Sequence, residues 1–526
     1  MKNTHLNLLL TCALLTACSS NLPIPSAQMP AVTDSGQAIA TADAIAQATA
    51  AAKPTAEQNA SAKQAGGQGK KPKTSPPAAS QAEPPTLESL NIVLGSVTDS
   101  SVLLSLLSPT AGDVVIAYGT DASTLVNQTA ATPLQAMVPQ TIQLSGLSPN
   151  SAYFYKASIQ GQAASETHSF HTQRPAGASF TFSIDADPHY QDPRFDAAVY
   201  AHSLENAKAN QPDLHINLGD TFMTEKGKPA TLEDVENTFS GMRPSFGVLA
   251  ADVPLFLVNG NHEAELGWLA NSSQQEIALW SVQARQRYYP NPRPGSFYSG
   301  SASTDPLLGT PRDGFYAFTW GNALFVMLDP FWYTTKKPQA EDPQSNWNWT
   351  LGEEQYRWLQ ETLQTSDARF KFVFIHHLVG GAKDARGGVE VANLYEWGGK
   401  NADGSDGFAE HRPGWEMPIH QLLVKNNVSA VFHGHDHVYV QQELDGIIYQ
   451  ELPQASLTEN GKADLASEAG YISGTSAAGA GILLVTVTPE SAQAQYLLTE
   501  PTTGYQANQT APKIAAQYVI QPALGQ

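Results

Sequence analysis

Residues 429–440, SAVFHGHDHVYV, open as a short apolar strand and close with three histidines, His433, His435 and His437, at every second position. Alternate side chains of an extended chain share one face, so a continued strand would gather all three imidazoles on one side. Gly434 interrupts the run and marks the place where strand gives way to loop. Imidazoles collected at the end of a buried strand are metal donors. A histidine-rich surface loop is the alternative, and the rest of the chain separates the two.

Working outward, four earlier apolar runs end in the same manner. ASFTFSIDADPHY carries Asp187 and His189, DLHINLGD ends in Asp220, VPLFLVNGNHE ends in Asn261, His262 and Glu263, and FKFVFIHH ends in His376 and His377. Helical patterns such as RFDAAVYAHSLENAKAN and GEEQYRWLQETLQTS lie between them. Strands alternating with helices argue for an α/β core, in which the carboxyl ends of strands converge on the edge where ligands bind. Each ending alone reads as a turn or a loop hydrogen bond; the five together point to a dinuclear metal site.

Taken in order, D-x-H, GD, GNH[ED], H and GHxH, the endings resemble the calcineurin-like metallophosphoesterase superfamily over roughly residues 178–500. The resemblance implies a four-layer α/β/β/α metallophosphoesterase sandwich spanning 176–500. It implies that Asp187, His189 and His437 bind one metal, that Asn261, His376 and His435 bind a second, and that Asp220 bridges them. Oxygen and imidazole donors suit Zn²⁺, Mn²⁺, Fe or Co without selecting among them, so the implied cofactor is a pair of divalent ions. The implied chemistry is a two-metal hydroxide mechanism, in which hydroxide attacks the phosphorus of a small phosphate ester in line with the leaving oxygen. His262 matches the position near the leaving group and joins Asp220 as a catalytic residue. Glu263 and Asp436 are candidates for fixing imidazole tautomers, with ordinary solvated carboxylates as the alternative. Either His376 or His377 could be the ligand; His376, the first residue after the strand, is favoured. His433 precedes the motif and is expected to hold neither metal. The Gly-rich stretch 380–418 carries Arg386 and Arg412, which would either clamp phosphate or pair with nearby carboxylates.

Upstream, residues 86–175 are short alternating runs (LNIVLGSV, SVLLSLL, VVIAYG, AYFYKASI) punctuated by turn residues, the pattern of an all-β sandwich. LSGLSPNSAYFYKASI resembles the fibronectin type III signature, with Tyr153 after the GLxP corner. A fibronectin type III-like domain ahead of such a core resembles the purple acid phosphatases. Two departures limit that likeness: His189 stands where that subgroup has glycine, and Met223, in GDTFM, stands where it has a tyrosine ligand. Without a tyrosinate a ferric ion loses a hard anionic donor, so the expectation is a divalent pair. The two-domain layout favours phosphomonoester hydrolysis. A phosphodiesterase of glycerophosphodiester or cyclic-nucleotide type is the alternative, and a non-catalytic surface binding protein comes third because no ligand position is missing.

Composition bounds the partners. Of 526 residues, 49 are acidic and 29 are Lys or Arg, a net charge of −20. Such a surface weighs against nucleic acid, while a small anionic substrate remains compatible with a local cationic site. Cys12 and Cys18 are the only cysteines, and both lie in MKNTHLNLLLTCALLTACSS, whose apolar run is too short to span a membrane and reads as a secretory leader. LTAC resembles a bacterial lipobox, implying that residues 1–18 are a lipoprotein signal and that Cys18 carries lipid. Membrane attachment at the cell envelope follows, at the outer membrane if the source has two. Processing leaves no thiol as a metal ligand. Residues 19–85, rich in Ala and Pro, read as a disordered linker spanning about 45 Å, and GILLVTVTP and AQAQYLLTE as closing strands before a tail at 501–526.

Overall fold

The computed structural model describes residues 89–458, 463–500 and 512–522. The expected leader, Cys18 and the linker at 19–85 lie outside the described residues.

Two sheets form the α/β core. In the first, Phe180–Asp185 lies parallel to Leu214–Asn217, which lies parallel to Leu255–Leu257. On its other side it pairs antiparallel with Gly481–Val487, followed by Ala492–Leu498 and Ile514–Ile520. In the second, Ala323–Met327, Phe370–Phe374, Ala430–His433 and Ile447–Glu451 run parallel. Antiparallel strands, Tyr316–Trp320 on one side and Tyr439–Leu444 on the other, flank them. Parallel strands deliver all their carboxyl ends to one edge, and they are apolar on both faces because layers cover both. Accordingly LHIN, LFL, FKFVF and AVFH are buried at every position.

The space between the sheets is filled largely by phenyl rings. Phe182 meets Phe325 at 5.0 Å, Phe325 meets Phe374 at 5.7 Å and Phe374 meets Phe432 at 5.2 Å between centroids. Outside the first sheet, Ala197–Ala209 packs its Tyr200 and Leu204 into a second cluster with Phe239, Phe246 and Leu255. Its start is fixed by Asp196, whose side chain accepts from the N–H groups of Ala198 and Val199. Outside the second sheet, Gly352–Thr365 and Ile419–Lys425 bury Leu359, Leu363, Leu422 and Leu423 against Val326, Val373 and Val431. Helix, sheet, sheet and helix give the four layers expected from the sequence. The expected tail differs in part: Ile514–Ile520 is a strand added to the edge of the first sheet, where Ile520 is buried and the rest is half-buried or exposed.

Ahead of the core stands a β-sandwich. One sheet holds Asn91–Gly95, Ser101–Leu107 and Gln140–Ser145; the other is built on Gly112–Gly119, Ala152–Ile159 and His168–His171. Tyr153 closes a tyrosine corner, its hydroxyl accepting the Ser148 N–H at 2.8 Å. Sandwich and core fall in one compact unit and are joined by buried polar contacts. Arg243, fully buried, donates to Asn91 Oδ1 at 2.7 Å, Ser105 Oγ at 2.8 Å and Ser105 O at 2.7 Å. Tyr155 donates to Ala251 O, and Asp252 accepts the Ser169 N–H. Truncating Arg243 would leave its acceptors buried without a donor. Arg243→Ala is therefore expected to cost about 3 kcal/mol of stability, read from urea unfolding of the full chain, whereas substitution of the exposed Gln143, on the sandwich, should cost under about 0.5 kcal/mol.

Candidate metal centre

The parallel strand ends converge as the topology requires. Asp187, Asp220 and Asn261 follow strands of the first sheet; His376, His435 and His437 follow strands of the second. Their loops are stitched together by main-chain bonds: Asp187 N–H to Gly219 O at 3.0 Å, His189 N–H to Asp220 O at 2.9 Å and Gly434 N–H to His376 O at 2.9 Å. Asp187, His189, Asp220, His435 and His437 all have positive φ, between 51° and 81°. Non-glycine residues occupy that region at a cost, and such strain gathers at functional sites. Two glycines permit the approach. A Cβ on Gly434 would strike Asp187 Oδ2, and one on Gly260 would strike Asp220 and Glu263.

Two groups of donors result, Asp187 with His189 and His437, and Asp220 with His376 and His435. Asp220 Oδ1 accepts the His262 N–H at 2.8 Å. Its Oδ2 is left facing His376 Nε2 at 3.2 Å and His189 Nε2 at 3.5 Å, one from each group. Asn261 Oδ1 lies 3.2 Å from His376 Nε2 and so joins the second group. The ring nitrogens are already sorted. His376 Nδ1 is bonded to Leu218 O at 2.9 Å and His435 Nε2 to Asp384 O at 2.7 Å, which frees His376 Nε2 and His435 Nδ1 as donors to a metal. The donors fit a pair of cations by a further sign: Asp187 Oδ1 and both nitrogens of His189 are buried without a hydrogen-bond partner.

Electrostatics agree with that fit. Burial opposes charge on His376, yet the facing Asp220 carboxylate raises it to about 10; His189, between Asp187 and Asp220, is raised to about 9. Burial likewise opposes charge on Asp187, but His189 and His437 hold it below the usual carboxylate range. Protons thus stand where cations belong.

The remaining sequence candidates are sorted by their contacts. His377 lies outside both groups: Nδ1 meets Leu378 O, the ring packs against Trp349 and Phe331, and burial beside His376 pushes it down to about 3. His433 also lies outside them, its Nδ1 2.6 Å from Glu451 Oε2. Glu263, expected to fix an imidazole, instead accepts the N–H groups of Gly260, Asp220, Thr221 and Phe222 at 2.6–3.3 Å, because its loop folds back under the strand that carries Asp220. Asp436 touches no imidazole nitrogen either. It accepts from the Gly387 N–H and the Tyr471 hydroxyl and so fastens the loop bearing Arg386. Arg412 is not a phosphate clamp: it is bound by the buried Glu396 and by Trp347 O and Trp349 O. Arg386 and His262 line a cavity of about 380 Å³ over the second group. Glu451, Tyr471, Glu225 and Lys337 escaped the sequence reading, since each sits in an unremarkable strand, helix or loop. The one local signal was Glu225, five residues beyond Asp220 in GDTFMTE.

Metal binding must displace the imidazole protons. Affinity for Mn²⁺ should therefore climb with pH until about 9 to 10, where His189 and His376 lose their protons unaided. Calorimetric titration in buffers of different ionisation enthalpy should register net proton release. Gly434→Ala, which drives a methyl into Asp187, should lower the metal retained after dialysis, measured by elemental analysis.

The comparisons with known proteins agree with this geometry. The family model for calcineurin-like phosphoesterase matches residues 184–439. No curated protein matches. Among solved structures, "Structure of PhoD" aligns with a TM-score of 0.60 at 18% identity, covering 84% of this chain and 92% of that one. The purple acid phosphatase PPD1 from yellow lupin (Lupinus luteus) aligns with a TM-score of 0.53 at 14% identity, covering 82% and 74%. At those identities they speak for the fold. The family match and the paired donor groups show that residues 184–439 form a calcineurin-like metallophosphoesterase domain and that the chain is a phosphoester hydrolase.

Proposed function

We propose that the protein is a phosphomonoesterase of the bacterial cell envelope, working with two divalent cations. The observation that carries the reading is the single oxygen, Asp220 Oδ2, set between His376 Nε2 and His189 Nε2. Asp187, His189 and His437 would hold one ion, Asn261, His376 and His435 the other, with Asp220 shared. When bound, the ions supply charge neutralisation and an acidified water. The residues do the rest. His262 lines the cavity with Nε2 3.8 Å from Asp220 Oδ2 and Nδ1 3.6 Å from Glu225 Oε2, placed to give a proton or hydrogen bond to the leaving oxygen. Arg386 lines the same cavity, and among the described residues its guanidinium faces one carboxylate, Asp436, at 3.7 Å. Its fork is available to a phosphate oxygen.

The divalent pair is supported by residue 223, a buried methionine where a ferric site would need a phenolate. The preference for monoesters rests on the sandwich-plus-core layout, shared with the lupin purple acid phosphatase. Envelope location rests on the lipobox-like LTAC ending at Cys18; Cys18→Ser should abolish metabolic labelling with palmitate and release the protein from membranes.

Asp220→Asn should lower kcat by about 10³-fold or more and reduce bound metal, with folding intact by circular dichroism. Wild type should hydrolyse p-nitrophenyl phosphate faster than bis-p-nitrophenyl phosphate. Faster cleavage of the diester would establish a phosphodiesterase instead, and unchanged turnover in Asp220→Asn would end the two-metal reading.

A further inference from the structure

The cavity over the second donor group has two kinds of wall. Asn261, His262 and His435 form the side next to the metal centre. The rest of the lining includes Trp268, Pro338, Ala340 and Lys337, and Trp349, which packs on His377 beside the second group. Trp268 and Trp349 meet edge to face at 5.6 Å, making a stiff apolar surface that a phosphate alone would not use. A volume of about 380 Å³ has room for an organic group beyond the phosphate.

The charges of the lining are unevenly satisfied. Lys226 is 3.7 Å from Glu225, and Arg386 is 3.7 Å from Asp436. Lys337 has no carboxylate within 4 Å among the described residues, Asp384 of the same lining included; its ammonium lies over the Trp268 ring at 5.8 Å. Its charge also acts on Glu225 at longer range, so in a chain of net charge −20 this is a cation with no direct ion pair among the described residues, free to meet a ligand anion at the cavity. Glu225 faces His262, the residue on the leaving-group side, at 3.6 Å and interacts with Lys337 at longer range, so Lys337 stands toward the alcohol portion of a bound ester.

We propose that this cavity receives the alcohol portion of the substrate, and that Lys337 selects esters whose alcohol carries a second oxyanion, a carboxylate or another phosphate. The inference rests on the phosphomonoesterase reading. Trp268 and Trp349 enclose the organic body, Arg386 serves the scissile phosphate and Lys337 serves the distal anion.

The test uses the full metal-loaded chain and non-hydrolysable probes. Benzylphosphonate, 4-carboxybenzylphosphonate and 1,4-xylylenediphosphonate are titrated by calorimetry into wild type, Lys337→Gln and Lys337→Arg. The probes with a distal anion should bind wild type about fivefold more tightly than benzylphosphonate. Lys337→Gln should erase that difference, Lys337→Arg should keep it, and benzylphosphonate itself should change by less than about twofold. Which of the two anionic probes binds better identifies the distal group. Equal binding of all three probes to wild type, or an undiminished difference in Lys337→Gln, overturns the proposal. Turnover of benzyl phosphate tests the underlying reading separately. Turnover without anion preference removes the role of Lys337 and leaves the phosphatase; no turnover and no phosphonate binding removes both.

Discussion

The centre depends on one buried carboxylate, Asp220. It is 1% exposed, and a carboxylate in such a place is costly unless cations or hydrogen bonds answer it. Oδ1 is answered by the His262 main chain. Oδ2 has no main-chain donor and looks instead at imidazoles from two different sheets. The charge can be met there by protons on His189 and His376 or by metal ions shared between the two groups. The neighbouring Glu263 shows the other side of this balance. Burial and the Asp220 charge push it up to about 7, and it is kept as a hub for four main-chain N–H groups. One carboxylate is reserved for cations and the adjacent one for the backbone that positions it.

The geometry around Asp220 is held by constraint rather than by packing alone. Five metal-capable residues carry left-handed backbone, each at a cost of order 1 kcal/mol or more. Main-chain bonds between neighbouring strand-end loops oppose that cost, as do Gly434 and Gly260, where a side chain would not fit. Beneath the loops, Asp185 accepts from Tyr200, His215 and Asn217 at 2.7–3.1 Å. Beside them Glu265 is locked between Arg285 and Arg312, which fixes the end of the loop that carries Asn261 and His262. The donors are thus held in place by the protein's own loops, which is what preorganised electrostatic catalysis demands.

This constraint explains what was legible in the sequence. Ligand types and order had to appear as local signals, because each donor must sit within a residue or two of a strand end: DADPH, GD, GNHE, HH and HGHDH are such signals. The layers followed from apolar runs long enough to be buried on both faces. What the sequence hid was set by the third dimension. Glu263 and Asp436 looked like partners for imidazoles, and only the path of the folded loops turns one toward main-chain amides and the other toward Gly387 and Tyr471. Arg412 and Arg386 share one Gly-rich stretch, yet a buried Glu396 claims the first and leaves the second at the cavity. Glu451 lies on a strand whose alternation carries no mark of the His433 it faces. The final strand, IAAQYVI, was missed because only Ile520 of it is buried, and its place is set by the sheet edge that receives it.

A division of labour follows from where the parts attach. The donors belong to the ends of parallel strands, the least adjustable places in the fold, and moving any of them would disturb a ladder or a buried network. The cavity walls come from elsewhere. Lys337, Pro338 and Ala340 lie in the connection between Met327 and the helix starting at Gly352, and Arg386 lies in the long stretch after Phe374. Those segments leave the second sheet and return to it with their main chains fastened at a few points, among them Asp436 to Gly387 and Arg412 to Trp347 and Trp349. Side chains between such fixed points can change without shifting the donors. The reaction chemistry is therefore written in the strand ends, and the choice among esters is written in the two loops that cover them.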